Sequence, residues 1–157
     1  MDRKEIIINY EEYASVEEMS AADRELCIAA VQAIDGSYAP YSHFHVGAAV
    51  RLSDGTIVKG ANQENAAYPS GLCAERTAMF SAGANYPGLD MVSIAVAARQ
   101  NGRICSDPVA PCGACRQVMI QYQTKSGKPM SVILVGADHI KKFARVNDIL
   151  PLIFDNI

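Results

Sequence analysis

The stretch VAPCGACRQ, residues 109–117, contains a cysteine pair whose role depends on how the rest of the chain folds. Two cysteines three positions apart follow Pro111, and the chain then enters a segment with helical character. Such a pair can clamp a metal ion, act as a redox couple or form part of a disulfide framework. Which of these applies depends on the residues that the remainder of the chain brings beside Cys112 and Cys115.

Composition narrows the range of functions. A chain of 157 residues fits one domain with a single core, so we expect one domain over residues 1–157. Hydrophobic residues make up 50% and no apolar run reaches the roughly 18 residues that span a membrane. The start of the chain lacks the features of a secretory signal. These observations predict a cytoplasmic protein with no membrane partner.

Charge and cysteine content exclude two further classes. Fourteen basic and 17 acidic residues give a net charge of -3, with no basic cluster to bind a phosphate backbone, so a nucleic acid polymer is not the expected partner. Five cysteines form an odd set, and free thiols persist inside cells. A disulfide scaffold is therefore disfavoured, and a metal site or thiol chemistry is favoured.

Hydrophobic periodicity predicts helices and strands in alternation. A helical stripe over residues 20–35 follows a plausible Ser20 cap. The alternation in FHVGAAVRL, followed by an Asp-Gly turn into TIVKGAN, predicts an antiparallel hairpin. Short apolar runs at 91–98 and 131–136 are typical of buried strands. Two further helices are predicted at about 73–84 and 113–123.

The order of these elements predicts where the cysteines lie. Strands at 56–62, 91–98 and 131–136 alternate with helices, which favours parallel strands joined by right-handed crossovers. Both crossover helices would then begin at the same edge of the sheet, where open α/β sheets place their sites. We therefore expect Cys73, at the start of one helix, to meet Cys112 and Cys115 at the start of the next.

Three thiolates suit a catalytic zinc, which keeps three protein ligands and leaves its fourth position open. Cys73, Cys112 and Cys115 supply them, and the positive ends of two helices favour their ionised form. Arg76 and Arg116 are candidates to offset the remaining negative charge. Glu75 can hang over the open position and carry a proton. The alternative for a lone glutamate there is an interaction with the helix dipole.

These residues form a recognisable pattern. Cys73-Ala74-Glu75 followed by Pro111-Cys112-Gly113-Ala114-Cys115 matches the signature of the zinc nucleobase deaminases. Over residues 22–154 the chain strongly resembles the small tetrameric cytidine deaminases. The matching segments are YAPYS (38–42), FHVGA (44–48), NQENAAY (62–68), CAERTA (73–78) and CGACRQ (112–117).

The resemblance implies a role for each matching position. The metal ligands of one Zn²⁺ per chain would be Cys73, Cys112 and Cys115, with Glu75 as the catalytic proton shuttle. Arg76 would hydrogen-bond the ligand sulfurs. The substrate-binding residues implied are Phe44 for the pyrimidine, Asn62 and Glu64 for a sugar hydroxyl, and Ala74 for the base.

The resemblance also implies an architecture and a reaction. The fold expected is α/β, a three-layer cytidine-deaminase-like arrangement of a mixed β-sheet with helices on both faces, and residues 1–20 form an N-terminal extension. The reaction is hydrolytic deamination of cytidine and deoxycytidine, by zinc-activated hydroxide attack on C4, in pyrimidine salvage. The partner is a small nucleoside substrate, and the assembly implied is a homotetramer.

Two residues, Leu152 and Cys105, depart from the family pattern. Phe154 aligns with a family aromatic that reaches a neighbouring subunit's site, but Leu152 stands where the family has glycine. The alternative for Phe154 is a hydrophobic residue of a C-terminal helix. Cys105 is an additional thiol; as a fourth ligand it would close the zinc site and leave Glu75 without purpose. The rival functions are deamination of another small amino-heterocycle, and a non-enzyme whose Cys112 and Cys115 form a redox pair or a structural zinc module.

Overall fold

The structure, a computed structural model, describes residues 1–155. In this part of the chain a mixed sheet of seven strands lies between three α-helices. The helices are α1 (Ala21–Ala33), α2 (Ala74–Asn85) and α3 (Gly113–Ser126). The strands are β1 (Glu11–Tyr13), β2 (Phe44–Leu52), β3 (Ile57–Ala61), β4 (Met91–Gln100), β5 (Arg103–Ile104), β6 (Ser131–Val135) and β7 (Ile140–Phe143).

The sheet has the order β1-β7-β6-β4-β2-β3, with β5 paired to the end of β4. β2 is antiparallel to both β3 and β4, so those two strands run in the same direction on either side of it. β4 and β6 are direct parallel neighbours. The expected common direction of these three strands is confirmed, and the α2 crossover passes over β2 to reach β4.

The three layers follow from the alternation of side chains along the strands. On β4, Ile94 and Val96 belong to the cluster that packs against α2 and α3. Ala95 and Ala97 point to the opposite face and pack against α1. The predicted three-layer α/β fold, with a mixed sheet and helices on both faces, is therefore confirmed.

Glycines on the hairpin let two helices lie against the sheet at backbone distance. A Cβ on Gly47 would stand 2.3 Å from the carbonyl oxygen of Ala30 in α1. A Cβ on Gly60 would stand 2.3 Å from the backbone nitrogen of Ala78 in α2. Real Cβ atoms do not approach other atoms so closely, so a side chain at either position would push its helix away from the sheet.

The predicted extension, residues 1–20, takes part in the fold. β1 pairs antiparallel with β7, and Glu11 stands opposite Lys142. Met19 is buried, and Tyr13 and Val16 pack against the α1 side of the core. The short strands β5 and β7 were not among the predicted elements. No helix between residues 1 and 155 combines the length and apolar character needed to cross a membrane.

Because Gly60 fixes the distance between β3 and α2, we expect Gly60→Ala to lower the free energy of unfolding by about 1–3 kcal/mol, the usual cost of overpacking. Urea unfolding followed by circular dichroism measures the difference. Gly88→Ala is the matched control, since a Cβ there meets nothing within 4 Å. Equal midpoints for the two variants would contradict the close approach of α2.

Candidate metal centre and active site

The two crossover helices bring their cysteines to one edge of the sheet. Cys73 is the N-cap of α2 and Cys112 is the N-cap of α3, both in extended conformation. Neither makes a side-chain capping hydrogen bond, so both thiols are left to face elsewhere. Cys115 follows in the first turn of α3 and is fully buried. Cys73 therefore lies beside Cys112 and Cys115, as predicted.

The sulfur positions test whether a zinc ion fits. The three Sγ atoms lie within 4.8 Å of one another, and those of Cys73 and Cys112 are 3.8 Å apart. Tetrahedral zinc with Zn–S bonds of about 2.3 Å separates its sulfur ligands by about 3.8 Å. Cys115 is buried and Cys112 is exposed. The donor set therefore fits a metal ion that is reached from one side.

Cys105 does not belong to this cluster, which within residues 1–155 contains only the three cysteines. Its backbone N–H donates to Ala98 at 2.9 Å and its carbonyl accepts from Ala137 at 2.9 Å. These bonds fix Cys105 beside the end of β4. The structure therefore does not place Cys105 as a fourth thiolate ligand, the alternative considered from the sequence.

The environment of the sulfurs favours negative charge. Hydrogen bonding from the Cys115 thiol and from Arg76 lowers the pKa of Cys73 to about 5. The neighbouring Cys73 sulfur and burial raise the pKa of Cys115. The two shifts have opposite directions because the sulfurs of Cys73 and Cys115 share a hydrogen bond. Metal ligands are thiolates, so metal binding by the three cysteines would release protons.

The two candidate arginines point in different directions. Arg76 Nη2 donates to Cys73 Sγ at 3.6 Å, and its Nε is buried with no hydrogen-bond partner in the described part of the chain. Arg116 instead donates from Nε to Pro111 O at 2.8 Å and from Nη1 to Ile149 O at 2.7 Å. Arg116 was expected to offset the cluster charge, but its hydrogen bonds go to these two carbonyl oxygens and join Ile149 to α3.

Glu75 occupies an unusual position for a carboxyl group. Glu75 is 4% exposed, and Ser93 is the only other buried polar residue within residues 1–155. Desolvation is the largest cause that raises the pKa of Glu75, and the nearby Cys73 charge adds to it. Burial of a carboxyl is costly, so Glu75, buried beside the three cysteines, is a candidate for a chemical role.

An open cavity of about 460 Å³ adjoins the cluster. This volume is in the range of small-molecule sites. Its walls include Asn62, Glu64, Cys73 and Arg76 from the predicted set. The other lining residues are Tyr41, Ser42, Gln63, Asn65, Tyr68, Gly71 and Leu72. Ala74 is fully buried, and Phe44 is half-buried at the start of β2; neither belongs to the lining.

The predicted sugar contacts also hold the backbone of the cavity wall. Asn62 Oδ1 accepts the N–H of Val46 at 2.8 Å, and Nδ2 donates to Phe44 O at 2.9 Å. Glu64 Oε2 accepts the N–H groups of Tyr41 and Ser42 at 2.9 and 3.2 Å. Asn62 is therefore fixed by the first residues of β2, and Glu64 by the segment that precedes this strand.

Sequence reasoning gave no individual role to Tyr41, Ser42 and Tyr68, which line the cavity. The rings of Tyr41 and Tyr68 meet edge to face, with centroids 6.3 Å apart. All three lie inside the matched segments YAPYS and NQENAAY. A role in the site could have been inferred from that position, because polar or exposed residues of a shared motif are not explained by core packing.

Comparison with known proteins gives a consistent result. The family profile "Cytidine and deoxycytidylate deaminase zinc-binding region" matches residues 20–128. A cytidine deaminase of Halalkalibacterium halodurans is 50% identical over 100 residues, which are 63% of this chain and 71% of that protein. A cytidine deaminase of Mycobacterium tuberculosis is 36% identical over 122 residues, which are 78% of this chain and 81% of the relative.

Solved structures agree on the fold. The crystal structure of cytidine deaminase from Burkholderia pseudomallei superposes with a TM-score of 0.71 at 42% sequence identity. The match covers 87% of this chain and all of that one.

Because three sulfurs form the cluster and Cys105 lies outside it, we expect Cys112→Ser to lose most of its bound metal while Cys105→Ser keeps as much as the unaltered chain. Removal of one of three ligands leaves a site too weak to survive dialysis. Elemental analysis of the dialysed proteins measures the metal per chain. Metal retention by Cys112→Ser, or loss in Cys105→Ser, would contradict the assigned cluster.

Proposed function

The chain belongs to the cytidine and deoxycytidylate deaminase family, and we propose that it catalyses the zinc-dependent hydrolysis of cytidine and deoxycytidine to uridine and deoxyuridine with release of ammonia. The proposal depends chiefly on the buried carboxyl of Glu75, which lies two positions after Cys73 of the three-sulfur cluster in the sequence, and on the cavity that Cys73 lines. A structural zinc module would use a fourth ligand and would have no need of a desolvated carboxyl.

The proposed metal ligands are Cys73, Cys112 and Cys115, which fit one Zn²⁺ per chain. Zinc bound there would act as a Lewis acid that lowers the pKa of a water molecule to about 7. The Arg76 guanidinium, 3.6 Å from Cys73 Sγ, would partly neutralise the charge of three thiolates. Less negative charge on the sulfurs leaves the metal a stronger acid.

Glu75 is the proposed proton carrier. Its carboxylate would take a proton from the attacking water and deliver it to N3 of the pyrimidine, so that C4 becomes electrophilic as the C–O bond forms. It would then transfer the second proton of the water to the amino group on C4, which leaves as ammonia. A carboxyl that gives and takes protons in successive steps works best with a raised pKa, and burial of Glu75 supplies this.

The cavity walls support a free nucleoside as substrate. Asn62 and Glu64 of the lining offer hydrogen-bonding groups to a sugar hydroxyl. Phe44 and Ala74, which lie outside the lining, are the contacts proposed for the base by resemblance. An acidic chain with a net charge of -3 has no basic track for a longer strand. Deamination of free nucleosides belongs to pyrimidine salvage. None of the five cysteines, all within residues 1–155, forms a disulfide, which supports action in a reducing compartment such as the cytoplasm.

Glu75→Gln separates chemistry from folding. The amide cannot carry a proton, so we expect retained metal and unchanged circular dichroism, with kcat for cytidine reduced at least about a hundredfold. The fall of ultraviolet absorbance as cytidine is consumed measures the rate. Glu25→Gln on α1 is the matched control, because it changes an exposed glutamate of a helix outside the cavity. Normal turnover by the Glu75 variant would refute the assigned role.

A homotetramer is the proposed assembly, and exposed aromatic side chains in the cavity lining support an interface there. Tyr41 and Tyr68 line the cavity and are 50% and 78% exposed, a large apolar area for a site that must exclude water. We expect light scattering after size-exclusion chromatography to give a mass of four chains. A monomer with full activity would contradict a site completed by neighbouring subunits.

A further inference from the structure

One hydroxyl at the cavity rim joins two parts of the proposed substrate site. Ser42 Oγ donates to Glu64 Oε1 and accepts the backbone N–H of Phe44 at 3.0 Å. The first partner is the carboxylate proposed for the sugar, and the second carries the aromatic ring proposed for the pyrimidine. Both the hydrogen of the hydroxyl and one of its lone pairs are thus committed.

The hydrogen bonds of Glu64 leave one acceptor position for a ligand. A carboxylate has about four lone-pair positions, two on each oxygen. Oε2 accepts from the backbone N–H groups of Tyr41 and Ser42, which fills both of its positions. Oε1 accepts from the Ser42 hydroxyl, which fills one. The remaining position lies on the oxygen that Ser42 holds, so the serine determines where that acceptor points.

Hydrogen bonds also keep this carboxyl ionised. The bond from the Ser42 hydroxyl is the largest cause that lowers the pKa of Glu64, and the N–H groups of Tyr41 and Ser42 add to it. An ionised carboxylate accepts hydrogen bonds and donates none. Its ligand must therefore be a donor, such as a sugar hydroxyl.

The backbone between these contacts is held on both sides. His43 has a φ of 53°, in the left-handed region that costs a residue other than glycine free energy. The Ser42 hydroxyl binds the N–H of Phe44, and Asn62 Nδ2 binds its carbonyl oxygen at 2.9 Å. The turn at His43 is thereby fixed, and Phe44 enters β2 at a set position relative to Glu64.

We propose that Ser42 is a positioning residue for nucleoside binding: its hydroxyl aims the free acceptor of Glu64 at a sugar hydroxyl and fixes that acceptor relative to Phe44. This inference rests on the proposed deaminase function. Ser42 touches no reacting atom, so its effect falls on the binding of substrate and acts through Glu64.

A substrate without the sugar hydroxyl distinguishes positioning from mere support of the turn. Cytidine, 2′-deoxycytidine and 3′-deoxycytidine are assayed with the unaltered chain, and the poorest substrate identifies the hydroxyl that Glu64 holds. For substrates that carry this hydroxyl, we expect Ser42→Ala to raise KM about tenfold and to change kcat by less than about threefold. For the analogue that lacks it, kcat/KM should change by less than about twofold, because the aimed acceptor has nothing to bind.

Three further variants complete the test. Ser42→Thr keeps the hydroxyl and should restore KM to within about threefold of the unaltered chain. Ser53→Ala is the matched control, since Ser53 is an exposed serine at the other end of β2 whose hydroxyl accepts the Asp90 N–H at 3.2 Å. Ser42→Cys keeps the shape of the side chain but has only a weak donor. If Ser42→Ala does not fold, Ser42→Cys takes its place and should raise KM only for substrates that carry the sugar hydroxyl.

The outcomes separate the two proposals. If Ser42→Ala lowers kcat/KM equally on all three substrates while the unaltered chain is active, the positioning role is overturned and the deaminase function stands. An unaltered chain that binds zinc but converts none of the substrates would refute the proposed function itself, and with it the role of Ser42.

Discussion

The site depends on the requirement that two helices begin at the same edge of the sheet, side by side. β3 and β4 run in the same direction, so the helices that follow them start at one end, and both pack on the same face. Gly60 then lets α2 approach β3 at backbone distance. Three sulfurs reach a separation suitable for one ion only because each of these conditions holds. The candidate metal site is thus a property of the whole sheet, although its three cysteines occupy only three positions.

Much of the fold could be predicted because periodicity records which faces of an element are buried. The bounds of α1, α2 and α3 agree with the predicted helices to within a few residues. The common direction of β3, β4 and β6 could also be predicted, because a helix between two strands favours a crossover connection between parallel strands. The insertion of β2 between β3 and β4 was not, because alternation shows that a strand is buried without showing its neighbours. β7 was missed since IKKF is short and places two lysines at its centre.

The same division applies to the site. Chemical type and spacing were enough to bring Cys73 together with the cysteines of α3, because few functions require three thiols at helix starts. Hydrogen-bond partners could not be predicted in this way. Arg116 was expected to serve the cluster, yet its acceptors are carbonyl oxygens, one of them on distant Ile149. Ser42 and Glu64 are 22 positions apart, and only the path of the loop before β2 brings them into contact.

The N-terminal strand has a consequence for colloidal behaviour. β1 has three residues, two of them glutamates, and it covers the edge of β7 with one side while its other side ends the sheet. A strand so short and so acidic is a poor template for a strand from another molecule. Without it, β7 would offer a row of unpaired backbone groups to any exposed strand nearby. β1 therefore protects this edge of the sheet against edge-to-edge joining, while β3 forms the opposite edge.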